Sequence, residues 1–399
     1  MVRKRILKII WLCTIALLYE KAHAQVKTIL VKPALTDSKI KTFNADSHRI
    51  FFKSEINPKG VLVYLPASFH LTSSAEYFCH TAANAGYIVI SLAYPGTDIL
   101  YDACAHNTTL TCFEDIHREI IEGKNYNPFL VIDSTESILY RLQALIAYLN
   151  GSDKNINWQE LLDEKGHVKL ANTSWAGHSD AAGHVAVLAK YNTIKRIILL
   201  SGPKDFSEHF YIPPLWMSTG NWKTDKSNIY SFGHGQDEYA IQQEIWDSLG
   251  LKKYGKTVNI NQVNYPYNNS HQLITSANVP VGDRHFCTIL DNRTILQNGI
   301  PLFEPVWKYL LDVPLISTAV TSKKIENTIK IYPNPLKTGE KLQIEHKQDT
   351  EFLLLNIAGV KVQSGKLFQM QTHILTPGLY FIKLKLGQGQ YATQRLIVY

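Results

Sequence analysis

The chain alternates between short apolar runs and longer segments in which apolar residues recur at helical spacing. Runs as apolar as residues 61–65 (VLVYL) and 197–200 (IILL) are typical of parallel strands that are buried on both faces of a sheet. Residues 134–150 and 181–190 have the longer spacing and predict helices. Because strands and helices alternate, the pattern predicts an α/β fold with a doubly wound, mostly parallel sheet.

The predicted elements of this sheet region end at residue 311. The predicted strands cover residues 28–31, 49–53, 61–65, 87–92, 173–176, 196–200, 229–233 and 257–263. The predicted helices cover residues 73–85, 134–150, 181–190, 240–249 and 305–311. Beyond them a stretch rich in Ser, Thr and Lys leads into short alternating strands without helices. We therefore expect an α/β domain at residues 25–314, a linker at 315–328 and a small all-β sandwich at 329–399.

The first 24 residues have the features of a secretory signal peptide. Four basic residues between positions 3 and 8 precede an apolar run at residues 9–18, and Ala22-His23-Ala24 forms a small-x-small cleavage site. The run is shorter than the roughly 20 apolar residues that a spanning helix needs. The net charge of +7 falls to +3 without the signal, which carries five basic residues and one acidic residue. We expect a soluble exported protein that crosses membranes only in transit and has no nucleic-acid partner, because no basic patch is present.

Four cysteines remain beyond the signal segment: Cys79, Cys104, Cys112 and Cys287. Cys104 and Cys112 bracket a polar loop, so the simplest prediction is a local disulfide that closes it in an oxidising compartment. Two partly buried free thiols are the alternative. Four cysteines permit three pairings, and the sequence leaves open whether Cys79 pairs with Cys287.

The most informative motif is Gly177-His178-Ser179-Asp180-Ala181, which lies between a β-prone run and an alanine-rich helical segment. It resembles the G-x-S-x-G pattern, in which a serine lies on a tight turn from strand to helix, with small neighbours because the two elements approach closely. Ala181 replaces the last glycine of that pattern. Ser179 is therefore a candidate nucleophile, and the alternative is an ordinary serine at the start of a helix.

A serine nucleophile needs a base, and the base needs an acid that orients it. Asp237 follows the predicted strand at 229–233 and is the preferred acid, with Glu238 as the substitute; the alternative for Asp237 is a helix N-cap. His285, in a polar loop before the last predicted helix, is the preferred base, and His271 is the alternative.

Two backbone N–H groups would have to stabilise the oxyanion that forms when a serine attacks a carbonyl. The pattern assigns them to Asp180, directly after the serine, and to Ala67 in the loop after the third predicted strand, with Ser68 as the second choice. His178, Asp180 and His184 could imitate a metal cluster, but each has a place in the turn or the helix, so we expect neither a metal nor a cofactor.

Further motifs along the chain support this assignment and carry a family resemblance. They are Leu65-Pro66, Ala83-Asn84-Ala85-Gly86-Tyr87-Ile88-Val89-Ile90, Tyr94-Pro95, Arg141-Leu142, Gly177-His178-Ser179, Ser201-Gly202-Pro203, Phe232-Gly233-His234 and Asp237-Glu238-Tyr239. Residues 49–312 resemble a bacterial α/β-hydrolase family of poorly defined substrate. Members commonly have Gln-Gly-Gly after the serine and a Gly-rich oxyanion loop, where this chain has Asp180-Ala181-Ala182 and Ala67-Ser68-Phe69.

The C-terminal segment carries a second resemblance. Its motifs are Ile331-Tyr332-Pro333-Asn334-Pro335, Leu353-Leu354-Leu355-Asn356-Ile357-Ala358-Gly359-Val360-Lys361-Val362 and Pro377-Gly378-Leu379-Tyr380-Phe381-Ile382-Lys383-Leu384. They resemble the sorting domain of the type IX secretion system of Bacteroidetes. The resemblance implies export across the outer membrane by that machinery, followed by surface attachment or release. A generic β accessory domain is the alternative.

Together these features predict a secreted serine hydrolase that cleaves an ester of a small molecule or polymer, with Ser179, Asp237 and His285 as its triad. Esters are preferred over amides by analogy with the fold alone. Two alternatives stay open: a catalytically silent surface binding protein that keeps the fold, and a peptidase or other acyl hydrolase.

Overall fold

The computed structural model describes residues 25–53, 58–97, 99–312, 330–345, 349–356, 360–387 and 390–399. The predicted signal peptide and linker lie outside these residues. The chain divides into two compact units, with the division between residues 315 and 316. Within the described residues, no helix combines the length and the apolar character that crossing a bilayer would require.

The first unit contains a nine-stranded sheet. Its strands are β1 (Lys27–Val31), β2 (His48–Phe52), β3 (Gly60–Leu65), β4 (Tyr87–Ser91), β5 (Thr173–His178), β6 (Arg196–Leu200), β7 (Ile229–His234), β8 (Val258–Asn259) and β9 (Gln272–Thr275). They lie in the order β1-β2-β4-β3-β5-β6-β7-β9-β8. The pairs β1·β2 and β2·β4 are antiparallel, and every other pair is parallel. The prediction of an α/β fold with a mostly parallel sheet is thus confirmed.

Helices cover both faces of this sheet. They are α1 (Pro33–Thr36), α2 (Glu76–Asn84), α3 (Ile99–Cys104), α4 (Cys112–Glu122), α5 (Ile138–Ser152), α6 (Asp180–Tyr191), α7 (Gln242–Ser248) and α8 (Glu304–Leu310). The central strand β3 explains why its sequence is apolar without alternation. Val61, Val63 and Leu65 join the core that α4, α5 and α6 cover, whereas Leu62 and Tyr64 join the core that α2 and α8 cover.

The structure differs from the predicted elements on one side of the sheet. The strand expected at 257–263 is reduced to the two residues of β8 at the sheet edge, because the chain turns back at once and the N–H of Val263 donates to the carbonyl of Asn259. The strand beside β7 is β9, which the pattern missed. Its buried residues include Gln272 and Thr275, so it lacks the apolar run that marks a central strand.

Three helices, α1, α3 and α4, were also missing from the prediction, although α4 has apolar residues at helical spacing. Phe113, Ile116 and Ile120 are buried on one face of α4. A disulfide joins Cys104, the last residue of α3, to Cys112, the first residue of α4. The predicted disulfide is therefore confirmed. Cys79 and Cys287 are buried free thiols, which answers the pairing that the sequence left open.

The second unit is a small β structure. Strands β14 (Glu351–Asn356), β15 (Lys361–Lys366), β16 (Gly378–Gly387) and β17 (Gln390–Val398) form an antiparallel sheet in the order β15-β14-β16-β17. In the same unit, strands β12 (Ile331–Tyr332) and β13 (Gln343–Ile344) form an antiparallel ribbon. A separate antiparallel ribbon of β10 (Leu296–Gln297) and β11 (Ile300–Pro301) belongs to the first unit. One helical element, a 3₁₀ turn at Leu367–Gln369, interrupts the all-strand pattern that we predicted. Ile331 of the ribbon and Leu354 of the sheet share one apolar core.

A buried histidine connects the N-terminal strands of the first unit to the strand-end loop after β4. His48 is fully buried, and its Nδ1 accepts a hydrogen bond of 3.1 Å from the N–H of Ala93. A histidine ring that accepts a hydrogen bond at Nδ1 is neutral, and burial out of water also favours the neutral form of His48. Burial, and after it the charge of Arg141, lowers the pKa of His48 to about 3. The same effect of burial lowers the pKa of His178 and His184 well below the ordinary value.

These histidines predict that the first unit loses stability in mild acid. In the unfolded chain His48 binds a proton below about pH 6.5, whereas in the folded protein it does so only near pH 3. The contribution of neutral His48 to the free energy of unfolding is therefore fully present above pH 6.5 and is lost as the pH falls below it. Asn at this position keeps an acceptor near the Ala93 N–H and cannot titrate. In His48→Asn we expect the drop in unfolding free energy from about pH 7.5 to about pH 5 to shrink by about 2 kcal/mol.

Tryptophan fluorescence during denaturant unfolding measures this drop, because every tryptophan beyond the signal segment lies before residue 312. His167 is exposed, and His167→Asn serves as the control that should leave the pH dependence unchanged. An equal pH dependence in His48→Asn and in the unmutated protein would contradict the assignment.

The disulfide predicts a second measurable contribution. Closing the loop between Cys104 and Cys112, eight residues apart, restricts the unfolded chain. Its removal in Cys104→Ala/Cys112→Ala should lower the unfolding free energy by about 2.5 kcal/mol. A reductant should destabilise the unmutated protein by the same amount and leave the double variant unchanged. Thiol titration in denaturant should count two free thiols in the protein without its signal segment, and four after reduction. A count of four before reduction would exclude the disulfide.

Candidate active site

Ser179 lies in a strained turn between β5 and α6. Its backbone has φ 62° and ψ −123°, a region that residues other than glycine rarely adopt. The turn requires close approach of the neighbouring segments. A Cβ atom on Gly177 would come within 2.2 Å of the carbonyl oxygen of Ala181, and one on Gly202 within 2.3 Å of the carbonyl oxygen of Ser179. Small residues in this part of the sequence thus permit the turn.

The hydroxyl of Ser179 points to a histidine and not into its own helix. Ser179 precedes α6 as its N-cap residue, yet its side chain makes no capping hydrogen bond. Instead, Ser179 Oγ lies 2.8 Å from His285 Nε2. Both residues are almost completely buried, with 5% and 2% exposure. This geometry fits a hydroxyl that donates to a neutral imidazole, and it differs from the alternative of an ordinary N-cap serine.

Asp237 holds the other side of the imidazole. His285 Nδ1 lies 2.8 Å from Asp237 Oδ2, and the N–H of Tyr239 donates to Asp237 Oδ1 at 2.8 Å. Because an ionised carboxylate is only an acceptor, the Nδ1 proton donates to it and Nε2 is left to accept from the serine. The amide of Gln242 also donates to Asp237 Oδ2. The acid is therefore fixed by three donors.

The remaining candidates have other roles in the structure. His271 directly precedes β9, and its ring stacks with those of Tyr230 and Tyr254. Its Nδ1 is 3.0 Å from the carbonyl oxygen of Ile229. Asp237 is not the N-cap that the alternative assumed, because α7 begins only at Gln242 with Ile241 as its N-cap. The structure therefore brings together Ser179, His285 and Asp237 of the predicted residues.

The two residues predicted to stabilise an oxyanion lie on neighbouring segments. Asp180 is the first residue of α6, where backbone N–H groups have no acceptor within the helix. Ala67 lies directly after β3, and the next residue, Ser68, donates from its hydroxyl to Asp180 Oδ2 at 2.8 Å. The β3 loop and the turn at Ser179 are therefore in direct contact. This contact joins the residue after Ala67 to the residue after the serine.

His178 supports the histidine of the site from behind. It is fully buried, and its Nε2 lies 3.2 Å from the carbonyl oxygen of His285, a distance at which the ring N–H donates. Its pKa is lowered well below the ordinary value, first by burial and then by the neighbouring His285 ring. Burial, followed by Asp237, raises the pKa of the Cys287 thiol to about 12. That thiol stays protonated at neutral pH, so it is no competing nucleophile.

A cavity of about 380 Å³ lies beside the site, and its size falls within the range of small-molecule pockets. Its lining includes Tyr101, Lys204, Phe206, Asp237, Tyr239 and Ile241. A larger cavity of about 890 Å³ lies at the amino ends of β3 and β4, with Gly60 and Tyr87 in its wall. Ligand sites of α/β sheets typically lie at the carboxyl ends of the strands, and the smaller cavity and Ser179 both lie at that end.

Sequence reasoning missed several residues that shape the site. Gln242 was part of a predicted helix, and only the absence of a side chain on Gly233 gives its amide room, because a Cβ there would come within 3.0 Å of it. Lys204 Nζ lies 3.3 Å from Asp180 Oδ1. The two residues are far enough apart in the sequence that no local pattern predicts this contact. His178 occupies the variable position of the motif, where sequence gives no signal for a role.

Within the described ranges, no group of three or more His, Cys, Asp or Glu side chains is arranged to hold a metal ion. His184, considered with His178 and Asp180 for such a cluster, contacts a different partner: its Nδ1 lies 2.8 Å from His117 Nδ1. His117 Nε2 in turn lies 2.8 Å from Asp205 Oδ2. These residues form a buried polar chain behind α6.

Fold and geometry together define an α/β protein with a serine, a histidine and an aspartate in hydrogen-bonded sequence at the carboxyl edge of its sheet. Residues 330–399 match the family described as a secretion system C-terminal sorting domain. This domain marks proteins that the type IX secretion system of Bacteroidetes exports. The protein therefore interacts with that machinery and reaches the cell surface or the medium. A comparison with curated proteins gives no match for the chain.

Proposed function

We propose that the protein is a secreted serine hydrolase of the α/β-hydrolase class that cleaves carboxylic esters. The observation that carries the proposal is the pair of 2.8 Å contacts that link Ser179 to His285 and His285 to Asp237. The strained backbone of Ser179 between β5 and α6 supports the same class. The chain order of serine, aspartate and histidine is the order of this class.

In the proposed reaction, His285 Nε2 takes the hydroxyl proton while Ser179 Oγ attacks the ester carbonyl carbon. The carbonyl oxygen becomes an oxyanion, which the backbone N–H groups of Asp180 and Ala67 stabilise. Collapse of this intermediate breaks the bond to the alkoxy oxygen, and the His285 imidazolium returns its proton to the leaving alcohol. Asp237 stabilises the imidazolium throughout, because its carboxylate accepts from Nδ1.

A water molecule completes the cycle in the reverse sense. His285 takes a proton from the water, the hydroxide attacks the acyl carbon, and the bond to Ser179 Oγ breaks as the serine regains a proton. The products are a carboxylic acid and an alcohol, so no oxidant or cofactor enters the balance. The preference for esters over amides rests on analogy with the fold. The buried cysteine, with its pKa raised to about 12, offers no thiolate that could replace the serine.

The proposal predicts that a fluorophosphonate probe labels the protein and that short p-nitrophenyl esters are hydrolysed. Ser179→Ala should abolish labelling and lower kcat by on the order of 10⁴-fold or more, because the nucleophile is lost. Labelling is read by gel fluorescence and mass spectrometry, and turnover by release of nitrophenolate. Ser152→Ala, at the exposed end of α5, is the matched control and should behave as the unmutated protein.

The same assay separates the alternatives. Absence of labelling and turnover in correctly folded protein would overturn the proposal and favour a binding protein that keeps the fold. Labelling of Ser179 combined with cleavage of peptides and no cleavage of esters would overturn the ester assignment while leaving the nucleophile in place.

A further inference from the structure

The side chain of Asp180 is a buried charge directly beside the proposed nucleophile. Asp180 is 2% exposed, and its carboxylate has partners on two other segments. Oδ2 accepts a 2.8 Å hydrogen bond from Ser68 Oγ in the loop after β3. Oδ1 lies 3.3 Å from Lys204 Nζ in the loop after β6. A carboxylate out of water is costly unless it is paired, so these two contacts stabilise the buried charge.

The Ser68 contact spans the two halves of the proposed oxyanion site. One backbone donor, the N–H of Asp180, belongs to α6, and the other, the N–H of Ala67, belongs to the β3 loop. Ser68 Oγ is also 3.0 Å from the carbonyl oxygen of Thr97, but its single proton favours the stronger acceptor, which is the carboxylate. The Asp180 side chain therefore links the two segments that carry the donors.

The Lys204 contact addresses charge. An oxyanion that forms near the N–H of Asp180 also lies near the Asp180 carboxylate, and two negative charges in a buried site repel each other. Lys204 is 17% exposed, so water screens its charge only weakly. Its ammonium group offsets the carboxylate at the place where the transition state gains negative charge.

We propose that Asp180 is a positioning residue, which ties the Ser68 loop to the turn at Ser179, and that Lys204 neutralises its carboxylate during the reaction. This inference rests on the proposed hydrolase activity. It assigns a purpose to Asp180, which stands where the resembled family commonly has glutamine. Neither residue forms a bond to the substrate. Asp180 acts through the segments that carry the backbone donors, and Lys204 acts on the charge of the Asp180 carboxylate.

A double-variant cycle tests the neutralisation. Lys204→Met removes this cation and should lower kcat about 10-fold to 100-fold with a smaller change in KM, because the repulsion between the carboxylate and the oxyanion acts mainly in the transition state. Asp180→Asn keeps the shape and removes the charge. Adding Asp180→Asn to Lys204→Met should therefore restore most of the lost kcat, because the carboxylate that repels the oxyanion is gone.

Two outcomes of the cycle would overturn the inference: a double variant that is no faster than Lys204→Met, or an unmutated kcat in Lys204→Met. Lys195→Met is the matched control, because Lys195 is exposed and precedes β6 at the opposite end of the sheet; it should leave kcat unchanged. Thermal unfolding of each variant checks that the fold is intact.

A second set of variants tests the tether without touching the buried pair. Ser68→Ala removes the donor and should lower kcat about 10-fold, whereas Ser68→Thr keeps a hydroxyl and should restore most of the loss. A Ser68→Ala variant with the kcat of the unmutated protein would overturn the tether. If the unmutated protein neither binds the fluorophosphonate nor turns over esters, the proposed function itself is overturned. If the unmutated protein is active and the variants at Ser68 and Lys204 have the same kcat, only this inference is overturned.

Discussion

The close approach of β5 and α6 at Ser179 is the constraint on which the rest of the site depends. A residue with a side chain is held at positive φ there, and this conformation persists only because the surrounding backbone leaves no alternative. Gly177 lets the carbonyl of Ala181 pass close to the strand, and Gly202 lets the next strand-end loop pass close to Ser179. The helix that follows contributes alanines to its buried face, which keep it near the sheet. Without that approach, Ser179 Oγ would not face His285.

The alanine at position 181 is compatible with this turn for a reason that the motif alone does not reveal. Ala181 belongs to α6 and has no positive φ, so its position makes no demand that only glycine can meet. The demand for a missing side chain falls instead on Gly183, where a Cβ would come within 2.3 Å of the His117 ring. The last glycine of the G-x-S-x-G pattern would fall at position 181. The close contact between α6 and α4 instead requires a glycine two residues later, at position 183.

Local pattern was sufficient to predict most of the sheet and the three side chains that the structure brings together. Ser179 and Asp237 follow strands that the pattern marks, and His285 lies in a polar loop before the last predicted helix. The pattern failed to predict a strand whose buried residues are polar, and it also missed one amphipathic helix. In β9 the buried Gln272 and Thr275 are polar, so hydropathy gives no strand, and α4 was missed although Phe113, Ile116 and Ile120 have helical spacing. Contacts such as Ser68 to Asp180 connect residues 112 positions apart, and no single sequence reports them.

The loop after β6 owes its position to two polar contacts with one face of α6. Asp180 and His184 are four residues apart and so lie on the same side of the helix. Lys204 pairs with the first, and its neighbour Asp205 reaches the second through His117. Trp216 Nε1 donates to Asp205 as well, at 3.2 Å. The loop is thus held at two adjacent residues, the cation Lys204 and the anion Asp205. It cannot move along α6 without breaking one of these buried contacts. Lys204 and Phe206 of this loop line the cavity beside Asp237, so the same buried contacts hold that part of the cavity wall in place. Tyr239, which also lines the cavity, contacts the His285 ring and is half exposed.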